Sequence, residues 1–396
     1  MKGSTEVTFC GVSFRNPIVV ASTDIGRSEA SFEAFARAGV GGIITKSVTD
    51  AAPLQKAGIT MFDIRDMKQI PVRGEIPGQY YFFSRGGAMI AMEDFLPLAE
   101  RELKLAQDHG VVLIGSISAS KVENWVAYAK AFEELGYPML ELNFGNPHGE
   151  AAKEKLGFLI GQSPELCAEI VARITEAVRI PVVAKLTPQV TDITQTAAAV
   201  KAAGARAVTI THRFQGLIVD RETETPVLGG FAAIGGPWMK PITLANIAKV
   251  YRATGMEIMG GNGADTAEDV LDFLYAGASL VQIGSSMMLR GPEYGKALVE
   301  EVAAKAKEPL RQLRGRVAER IVPYQELRKI AARKAAVDER LCADCKDHPC
   351  ISRCYFGALE DAGGPAAYHE DFCSGCGLCQ TVCPHDAVKI ISSGQQ

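Results

Sequence analysis

The sequence predicts an α/β protein: a (β/α)8 barrel, or TIM barrel, followed by a small cysteine-rich domain. Three observations support this fold class. Eight short apolar runs resemble strands, helical patterns separate most of them, and eight of the ten cysteines fall between Cys342 and Cys383. Apolar strands separated by helices indicate a parallel sheet buried on both faces. Eight such units close naturally into a barrel.

The predicted elements follow one another in order. After two short strands around a glycine turn at residues 7–15, the eight strand-like runs are 17–21, 41–46, 111–117, 138–143, 181–186, 205–211, 256–260 and 279–284. The helical patterns are 29–38, 125–135, 164–178, 193–203, 242–254 and 267–276. An open doubly wound sheet is the alternative, but no glycine-rich dinucleotide turn follows the first strand. We therefore predict a barrel over residues 1–305, a helical linker over 306–336 and the cysteine-rich domain over 337–396.

Composition restricts the possible partners and compartment. The chain has 396 residues, 47% of them hydrophobic, which is enough for a large core and a second small domain. A net charge of −4 argues against nucleic acid or a membrane surface as partner. Neither end has an apolar run long enough to span a bilayer. With only Cys10 and Cys167 outside the cysteine-rich stretch, we expect a reducing cytoplasm.

The cysteine spacing predicts two cubic iron–sulfur clusters. The two runs read C-x2-C-x4-C-x3-C and C-x2-C-x2-C-x3-C-P. A short loop cannot reach all four irons, so three close thiolates bind one face of a cluster and the other run supplies the fourth. This assigns two ligand sets: Cys342, Cys345, Cys350 and Cys383 to one cluster, and Cys373, Cys376, Cys379 and Cys354 to the other.

Two other uses of these cysteines fit the spacing less well. Zinc explains paired C-x2-C motifs but not a triplet with a remote fourth ligand and a following proline. Disulfides need an oxidising compartment, and no secretory signal is evident. Residues 337–392 resemble the two-cluster bacterial ferredoxins, with one extra residue in the first run. That resemblance implies transfer of single electrons, so the rest of the chain should hold their donor or acceptor.

Two further stretches lie outside the barrel pattern. An insertion over residues 47–110 contains Tyr80-Tyr81-Phe82-Phe83 and is expected to form a lid or wall over the site. Residues 300–340 are predicted to be helical and are basic, which fits either a docking surface for an acidic electron donor or a solvated linker. We favour the solvated linker.

The predicted strand ends carry polar residues and glycines, as the catalytic face of a barrel does. Gly260-Gly261-Asn262-Gly263 follows the seventh strand, and Gly284-Ser285-Ser286 follows the eighth. Glycines let backbone N–H groups approach an anion closely, so this end predicts a phosphate site. FMN is the mononucleotide that links two-electron chemistry to one-electron clusters.

Residues 7–290 resemble the dihydroorotate dehydrogenases and, more closely, the FMN domain of dihydropyrimidine dehydrogenase. The motifs concerned are Asn16-Pro17 through Ala21-Ser22, Thr45-Lys46-Ser47, Glu141-Leu142-Asn143, Ala184-Lys185-Leu186-Thr187-Pro188 and Gly277-Ala278-Ser279. The fused cluster domain is also that family's arrangement. The resemblance implies an FMN site formed by Ala21, Ser22, Lys46, Ser47, Asn143, Lys185, Thr209, Gly235, Gly236, Asn262, Gly263, Gly284 and Ser285.

Lys185 has a physical role apart from the resemblance. An ammonium beside the pyrimidine ring of a flavin stabilises the negative charge that reduction places there. A buried lysine without such a partner is costly, and Lys46 also lies at a predicted strand end. The alternative is that both lysines are exposed at the surface.

This chain departs from the family motif at the side chain that transfers a proton to or from the substrate carbon. The family motif Asn-Leu-Ser-Cys-Pro-His-Gly corresponds to residues 143–149, and Asn146 occupies the position of the cysteine. A neutral amide cannot act as a general acid near neutral pH. The family's Thr-Asn-Thr becomes Thr211-His212-Arg213, and an asparagine after the third strand aligns with Lys121. Together with Asn143 and Asn146, these residues predict a site for an anionic substrate.

We hypothesise that His212 or His148 replaces the missing thiol, because an imidazole holds or gives a proton near pH 7. The alternatives are that His148 only orients its loop and that no side chain supplies the proton.

The leading functional prediction is an FMN oxidoreductase acting on a C=C or CH–CH bond of a small conjugated anion. Electrons would pass through the two clusters to an external carrier, either a ferredoxin or an NAD(P)H-oxidising flavoprotein. The alternatives are a reductase of another aromatic or acyl compound and a catalytically silent electron-transfer subunit. A homodimer or a hetero-oligomer is expected.

Overall fold

The computed structural model describes residues 3–55, 59–86, 89–148, 156–329 and 332–392. The chain forms two compact units, Met1–Arg320 and Ile321–Gln396. The predicted fold class is confirmed, since eight parallel strands close into a barrel in the first unit. Within the described residues, no helix is both long enough and apolar enough to cross a membrane.

The first unit contains sixteen strands within the described residues, and eight of them form the barrel. The barrel strands are β3 (Ile18–Val20), β4 (Gly42–Ile44), β7 (Val112–Ile117), β8 (Leu140–Asn143), β9 (Val182–Lys185), β10 (Ala207–Ile210), β15 (Glu257–Gly261) and β16 (Leu280–Ile283). Each of the eight predicted runs contains most or all of one of them. Their side chains are almost all buried, as expected when helices cover the outside and side chains fill the inside of a barrel.

Helices surround the barrel, and their ends follow local sequence signals. They are α1 (Glu29–Arg37), α2 (Ala52–Gln55), α3 (Met92–Asp108), α4 (Val122–Glu134), α5 (Phe158–Gly161), α6 (Pro164–Ala177), α7 (Ile193–Ala202), α8 (Lys240–Thr254), α9 (Ala267–Ala276) and α10 (Ser285–Lys305). Thr266 and Asp269 form a capping box at the start of α9. Gly255 ends α8 in the left-handed conformation, with φ 64°.

Two insertions above the strand ends together form what we call the lid sheet. It has four antiparallel strands in the order β11 (Phe214–Gly216), β14 (Ala232–Gly235), β6 (Tyr81–Gly86) and β5 (Thr60–Arg65). Phe82 and Ser84 face the barrel, whereas Phe83 packs on the other side against Ile218 and Leu228. The predicted lid therefore needs a second insertion, after β10, which the sequence analysis did not identify.

Small hairpins complete the first unit. One pairs β1 (Val7–Phe9) with β2 (Val12–Phe14), as predicted for residues 7–15. The other pairs β12 (Val219–Asp220) with β13 (Thr225–Pro226), which lie between β11 and β14 in the chain.

The predicted helical linker over residues 306–336 does not match the structure. Short 3-10 turns replace a continuous helix. Leu310 and Leu313 belong to the barrel's hydrophobic core, and Ala318 is also buried. These apolar side chains hold the segment on the barrel as far as Arg320. Residues 330 and 331 of the predicted linker lie outside the described residues. Several of its basic side chains are paired, such as Arg316 with Glu308 at 2.6 Å, which agrees with the solvated alternative.

The second unit is small and built around its cysteines. Strand β17 (Arg333–Val337) pairs with β20 (Val388–Ser392), and β18 (Leu359–Glu360) pairs with β19 (Ala367–Tyr368), both antiparallel. Three short helices, α11 (Glu339–Cys342), α12 (Pro349–Ser352) and α13 (Leu378–Val382), carry cysteines between the strands.

Candidate active site and cysteine centre

A cavity opens at the carboxyl ends of the barrel strands, beneath the lid sheet. Residues at or just after six of the barrel strands line it, including Ala21, Lys46, Lys185, Thr211 and Gly284. Phe62, Phe82 and Ser84 contribute the lid side. This is the face on which TIM barrels place their chemistry.

The bottom of the cavity, which we call the floor, is a closed set of hydrogen bonds around Lys185. The Lys185 ammonium donates to Glu141 Oε1 at 3.2 Å and to Gln282 Oε1 at 2.7 Å. Thr209 Oγ1 donates to the other carboxylate oxygen of Glu141 at 2.8 Å, and the Gln282 amide donates to that same oxygen. All four side chains are buried, and each charged group therefore has a compensating partner.

One wall carries a second ion pair. The Lys46 ammonium lies 2.9 Å from Asp24 Oδ1, and both residues line the cavity. Burial lowers the pKa of Lys46, and the nearby Asp24 carboxylate opposes that shift. Asp24 lies in a short turn that begins after Thr23, whose hydroxyl accepts from the Ile25 amide.

Glycines and a serine form one end of the cavity. Asn262 adopts a left-handed conformation, with φ 70°, and its side-chain oxygen accepts from the Gly236 amide at 3.4 Å. Gly236 has φ 119°, and a Cβ there would lie 2.4 Å from the carbonyl oxygen of Tyr80, so only glycine fits. Ser285 follows Gly284 at the start of α10, and both line the cavity.

Most of the residues predicted to hold FMN line this cavity. They are Ala21, Ser22, Lys46, Lys185, Gly235, Gly236, Asn262, Gly263, Gly284 and Ser285. Ser47, Asn143 and Thr209 do not line the cavity, but they contact residues that do or one another. Ser47 Oγ lies 3.4 Å from Ser22 Oγ, and Thr209 completes the floor.

His212 and Arg213 form the roof of the cavity, on the segment entering the lid sheet. The Arg213 amide donates to His212 Nδ1 at 2.8 Å, so the proton of a neutral His212 imidazole lies on Nε2. Burial, together with the charges of Lys185 and Arg213, lowers the pKa of His212 well below its usual value. Arg213 Nη1 donates to Ser84 Oγ at 2.7 Å, and its guanidinium lies 6.0 Å from the centre of the Phe82 ring.

His212 requires a glycine in the neighbouring loop. A Cβ on Gly145 would lie 2.3 Å from the Cβ of His212. A side chain at position 145 would therefore clash with His212 where it now lies. The same loop carries Asn146, whose side-chain oxygen accepts from the His148 amide at 3.2 Å.

The other two catalytic candidates differ in their surroundings. Asn146 is buried but is not part of the cavity lining. Burial, with Arg213 and Arg85 nearby, lowers the pKa of His148 to about 4. His148 Nε2 is buried and has no hydrogen-bond partner among the described residues. His212 and His148 are therefore both neutral at pH 7. Gly149, the last residue of the motif, lies outside the described residues.

The predicted role of Lys121 in substrate binding does not match the structure. Lys121 is the exposed residue before α4, and its backbone amide donates to Asp50 Oδ2 at 3.3 Å. It does not line the cavity, because the third strand's loop turns directly into the helix there.

Sequence analysis missed several cavity residues. Asp24, Gln282, Ser84 and Phe62 all line the site, as does Phe82 from the stretch that was expected to form a lid or wall. Gln282 lies within a barrel strand, so alternation along β16 was an available signal for an inward side chain. Phe62 and Ser84 arrive through strand pairing within the lid sheet, for which the chain shows no local signal.

The cysteine centre separates into the two predicted groups. A cavity of about 340 Å³ is lined by Cys354, Cys373, Cys376 and Cys379 among others. In the other group, burial raises the pKa of Cys350, and Cys342, Cys383 and Cys345 lie close enough to add to that shift.

Backbone amides donate to thiols in a repeated pattern. The amides of Ala358 and Ala387 each donate, at 3.2 Å, to the cysteine four residues earlier, Cys354 and Cys383 respectively. The amides of Ala335 and Ala366 donate to Cys373 and Cys342 at 3.4 Å. Each group thus receives two N–H···S bonds, an arrangement that tunes the potential of iron–sulfur clusters.

The two sites fit the groups that the sequence implies. The Thr211 hydroxyl is buried against the cavity yet has no partner among the described residues, so it is available to a ligand. Cations, glycines and a serine hydroxyl suit the phosphate and pyrimidine ends of FMN. Four thiols around one small cavity, with amides aimed at the sulfurs, suit a [4Fe-4S] cluster.

Known proteins similar to this chain agree with that fit. The family dihydroorotate dehydrogenase matches residues 4–305, and the 4Fe-4S binding domain matches residues 366–389. The catalytic subunit of dihydroorotate dehydrogenase B (NAD(+)) from Methanothermobacter thermautotrophicus is 33% identical over 295 residues, covering 73% of this chain and 88% of the relative. That from Methanocaldococcus jannaschii is 30% identical, covering 76% and 94%. This chain therefore belongs to the dihydroorotate dehydrogenase family, FMN-binding oxidoreductases that act on CH–CH bonds, and carries a C-terminal 4Fe-4S domain.

Proposed function

We propose that this chain is a dihydropyrimidine dehydrogenase-like oxidoreductase that reduces or oxidises a C=C or CH–CH bond of a small conjugated anion. Its electrons pass through two [4Fe-4S] clusters to an external carrier. The observation that carries the proposal is the guanidinium of Arg213 in the roof. Among the described residues, no carboxylate lies within ion-pair distance of it.

Arg213 keeps its charge in a partly buried place. Burial lowers its pKa to about 10, opposed by the charge of Asp24, so it remains a cation at pH 7. Asp24 itself is 2.9 Å from Lys46 and is thus already paired. A partly buried cation without a counter-ion is costly, and a planar anion on the substrate would satisfy it with two hydrogen bonds.

His212 is a hydrogen-bond donor in this proposal. Its Nδ1 accepts from the Arg213 amide, so only Nε2–H is available to a substrate. A bound anion adds negative charge beside the imidazole and raises its pKa, which favours proton uptake when substrate binds. His212 then holds a proton beside the reacting carbon and takes over the role, though not the position, of the cysteine in the family motif.

FMN, when bound, exchanges electron pairs with the substrate and single electrons with the clusters. In the proposed arrangement Lys185, oriented by Glu141 and Gln282, supports the pyrimidine end. Gly263, Gly284 and Ser285 hold the phosphate. Phe62 and Phe82 of the lid sheet line the same cavity.

The two clusters use the ligand sets that cysteine spacing predicts. The cavity of the second group and the N–H···S bonds of both groups support this assignment. The catalytic subunits to which this chain is similar are named as NAD(+) enzymes. We propose that a separate flavoprotein or ferredoxin exchanges electrons with this chain.

A reoxidation experiment tests the proposal. The anaerobic, reduced full chain is mixed with conjugated carboxylates and, as matched controls, with their neutral amides. We expect the carboxylate to reoxidise the protein about 10- to 100-fold more efficiently, because it gains charge-assisted hydrogen bonds to Arg213. Arg213→Met should remove that preference, and Arg213→Lys should retain part of it. Equal rates with both members of each pair in the wild type would refute the anionic substrate.

His212→Ala provides a separate test of the proton donor. Turnover should be lost while the FMN content stays at one per chain, since His212 reaches the substrate side of the cavity. Full turnover in this variant would eliminate His212 from the mechanism.

A second candidate function is a catalytically silent electron-transfer subunit. Its supporting observation is Asn146, a buried amide in the position of the family cysteine, bonded only to its own loop among the described residues. Under this alternative, no small molecule in the panel reoxidises the reduced chain, and a redox protein does so rapidly.

A further inference from the structure

Tyr80 joins the lid sheet to the serine-containing end of the cavity. Its side chain is fully buried, and its hydroxyl lies 3.2 Å from Ser285 Oγ and 3.1 Å from Ser286 Oγ. The same hydroxyl donates to Asp265 Oδ1 at 3.3 Å. One phenol thus meets three polar side chains, one from the loop after β15 and two from the start of α10.

The Asp265 carboxylate is a fixed acceptor in this group. Arg290 Nη1 donates to Asp265 Oδ1 at 2.7 Å, and the hydroxyl of Ser286 donates to the same oxygen. The Asp265 amide donates to Asp269 Oδ2 at 2.8 Å, and Tyr294 donates to the Asp265 carbonyl. These contacts hold Asp265 at both its backbone and its side chain, so Tyr80 binds to a rigid partner.

Tyr80 also fixes the lid. It directly precedes β6, in which Phe82 and Ser84 face the cavity. The Tyr80 carbonyl packs against Gly236, and the Arg290 guanidinium lies 5.9 Å from the centre of its ring. Ser285, on the other side of the hydroxyl, lines the cavity itself. A single side chain therefore spans the distance between the cavity's serine end and its lid wall.

We propose that Tyr80 is a positioning residue that couples the phosphate group of the flavin, held at Ser285, to the placement of the lid sheet. This inference rests on the FMN site proposed above. If Ser285 donated its hydroxyl proton to a phosphate oxygen of the flavin, the single proton of the Tyr80 hydroxyl would turn from Asp265 Oδ1 to Ser285 Oγ. A phosphorylated flavin thereby fixes Tyr80 and the start of β6, whereas riboflavin, which has no phosphate, does not.

The test compares two flavins on the full chain after its flavin has been removed. FMN and riboflavin are titrated into the wild type, Tyr80→Phe and the matched control Tyr81→Phe. Tyr81 is the neighbouring tyrosine, its ring lies 5.5 Å from Trp238, and its hydroxyl has no hydrogen bond among the described residues. Hydrogen exchange of residues 60–86 is followed with each flavin bound.

We expect Tyr80→Phe to weaken FMN binding about tenfold, the effect of one lost hydrogen bond to a buried group, and to leave riboflavin binding within twofold. With FMN bound, residues 60–86 should exchange faster in Tyr80→Phe than in the wild type or in Tyr81→Phe. Ser285→Ala should likewise weaken FMN binding and spare riboflavin binding. The double variant should lose little more FMN affinity than either single variant, because the two residues act as one unit.

Three outcomes overturn the inference. The first is equal weakening of FMN and riboflavin binding in Tyr80→Phe, which would mark Tyr80 as a general packing residue. The second is an unchanged affinity of Tyr80→Phe for FMN. The third is an affinity loss in the double variant that equals the sum of the two single losses. Failure of the proposed function is distinguishable from these, because the wild type would then bind neither flavin at one per chain.

Discussion

The floor and the roof of the cavity differ in how their charges are balanced. In the floor, Lys185 has two acceptors and Glu141 has three donors. In the roof, the Arg213 guanidinium donates only to a hydroxyl among the described residues. The charges of the floor are balanced without a ligand, whereas the charge of Arg213 in the roof has no counter-ion among the described residues. Substitutions in the floor should therefore affect folding, and substitutions in the roof should mainly affect binding.

The largest effect is expected in the floor. Lys185→Met leaves Glu141 fully buried without its ion-pair partner and should lower the free energy of unfolding by about 3–5 kcal/mol. Adding Glu141→Gln should recover part of this loss, because the uncompensated charge disappears. Urea unfolding of the single and double variants measures both effects. A single variant as stable as the wild type would contradict the closed floor.

His148, which lies near Arg213 but does not line the cavity, should make stability pH-dependent. Its folded pKa of about 4 lies below the ordinary 6.5, so below pH 6.5 the unfolded chain binds a proton that the folded chain does not. This stabilisation is present above pH 6.5 and is lost as the pH falls towards 4, by up to about 3 kcal/mol. His148→Gln should flatten the stability profile between these pH values. Parallel profiles for the variant and the wild type would contradict the burial of His148.

A smaller effect is expected from the contact that admits His212. Gly145→Ala places a methyl group against the Cβ of His212 and should cost about 1–3 kcal/mol, as overpacking does. Turnover should fall with it, because His212 moves. Gly78→Ala is the control, since a Cβ there meets nothing within 4 Å and its φ is not in the left-handed region. Equal unfolding midpoints for the two variants would show that Gly145 is not needed for His212.

The smallest effect is expected at Thr211, whose buried hydroxyl has no partner among the described residues. Thr211→Val removes that hydroxyl at nearly constant shape and should leave the stability of the flavin-free chain within about 0.5 kcal/mol, or raise it. Binding of FMN or substrate should weaken by about 1 kcal/mol, measured by titration. Unchanged affinity for both ligands would mean that the hydroxyl serves neither.

Sequence analysis identified members of both the floor and the roof: Lys185 and Thr209 in the floor, and His212 and Arg213 in the roof. Lys185 was predictable because it ends a buried strand, where an ammonium without a partner is costly. The eight barrel strands were predictable because each apolar run gives a local signal, and the cysteine groups because their spacing is itself the constraint. Lys121 was placed wrongly because the register of its loop depends on how that loop meets α4.

The amino-acid sequence alone determined the eight-stranded barrel, the segregation of the cysteines and the residue types at the strand ends. These depend on periodicity and spacing along the chain. The tertiary structure decided which charges are neutralised. Glu141 and Lys185 come from strands 44 residues apart, Tyr80 meets Ser285 from 205 residues away, and the proton of His212 is placed by its own neighbour's amide. Pairing, desolvation and tautomer depend on distances in space, which the order of residues does not contain.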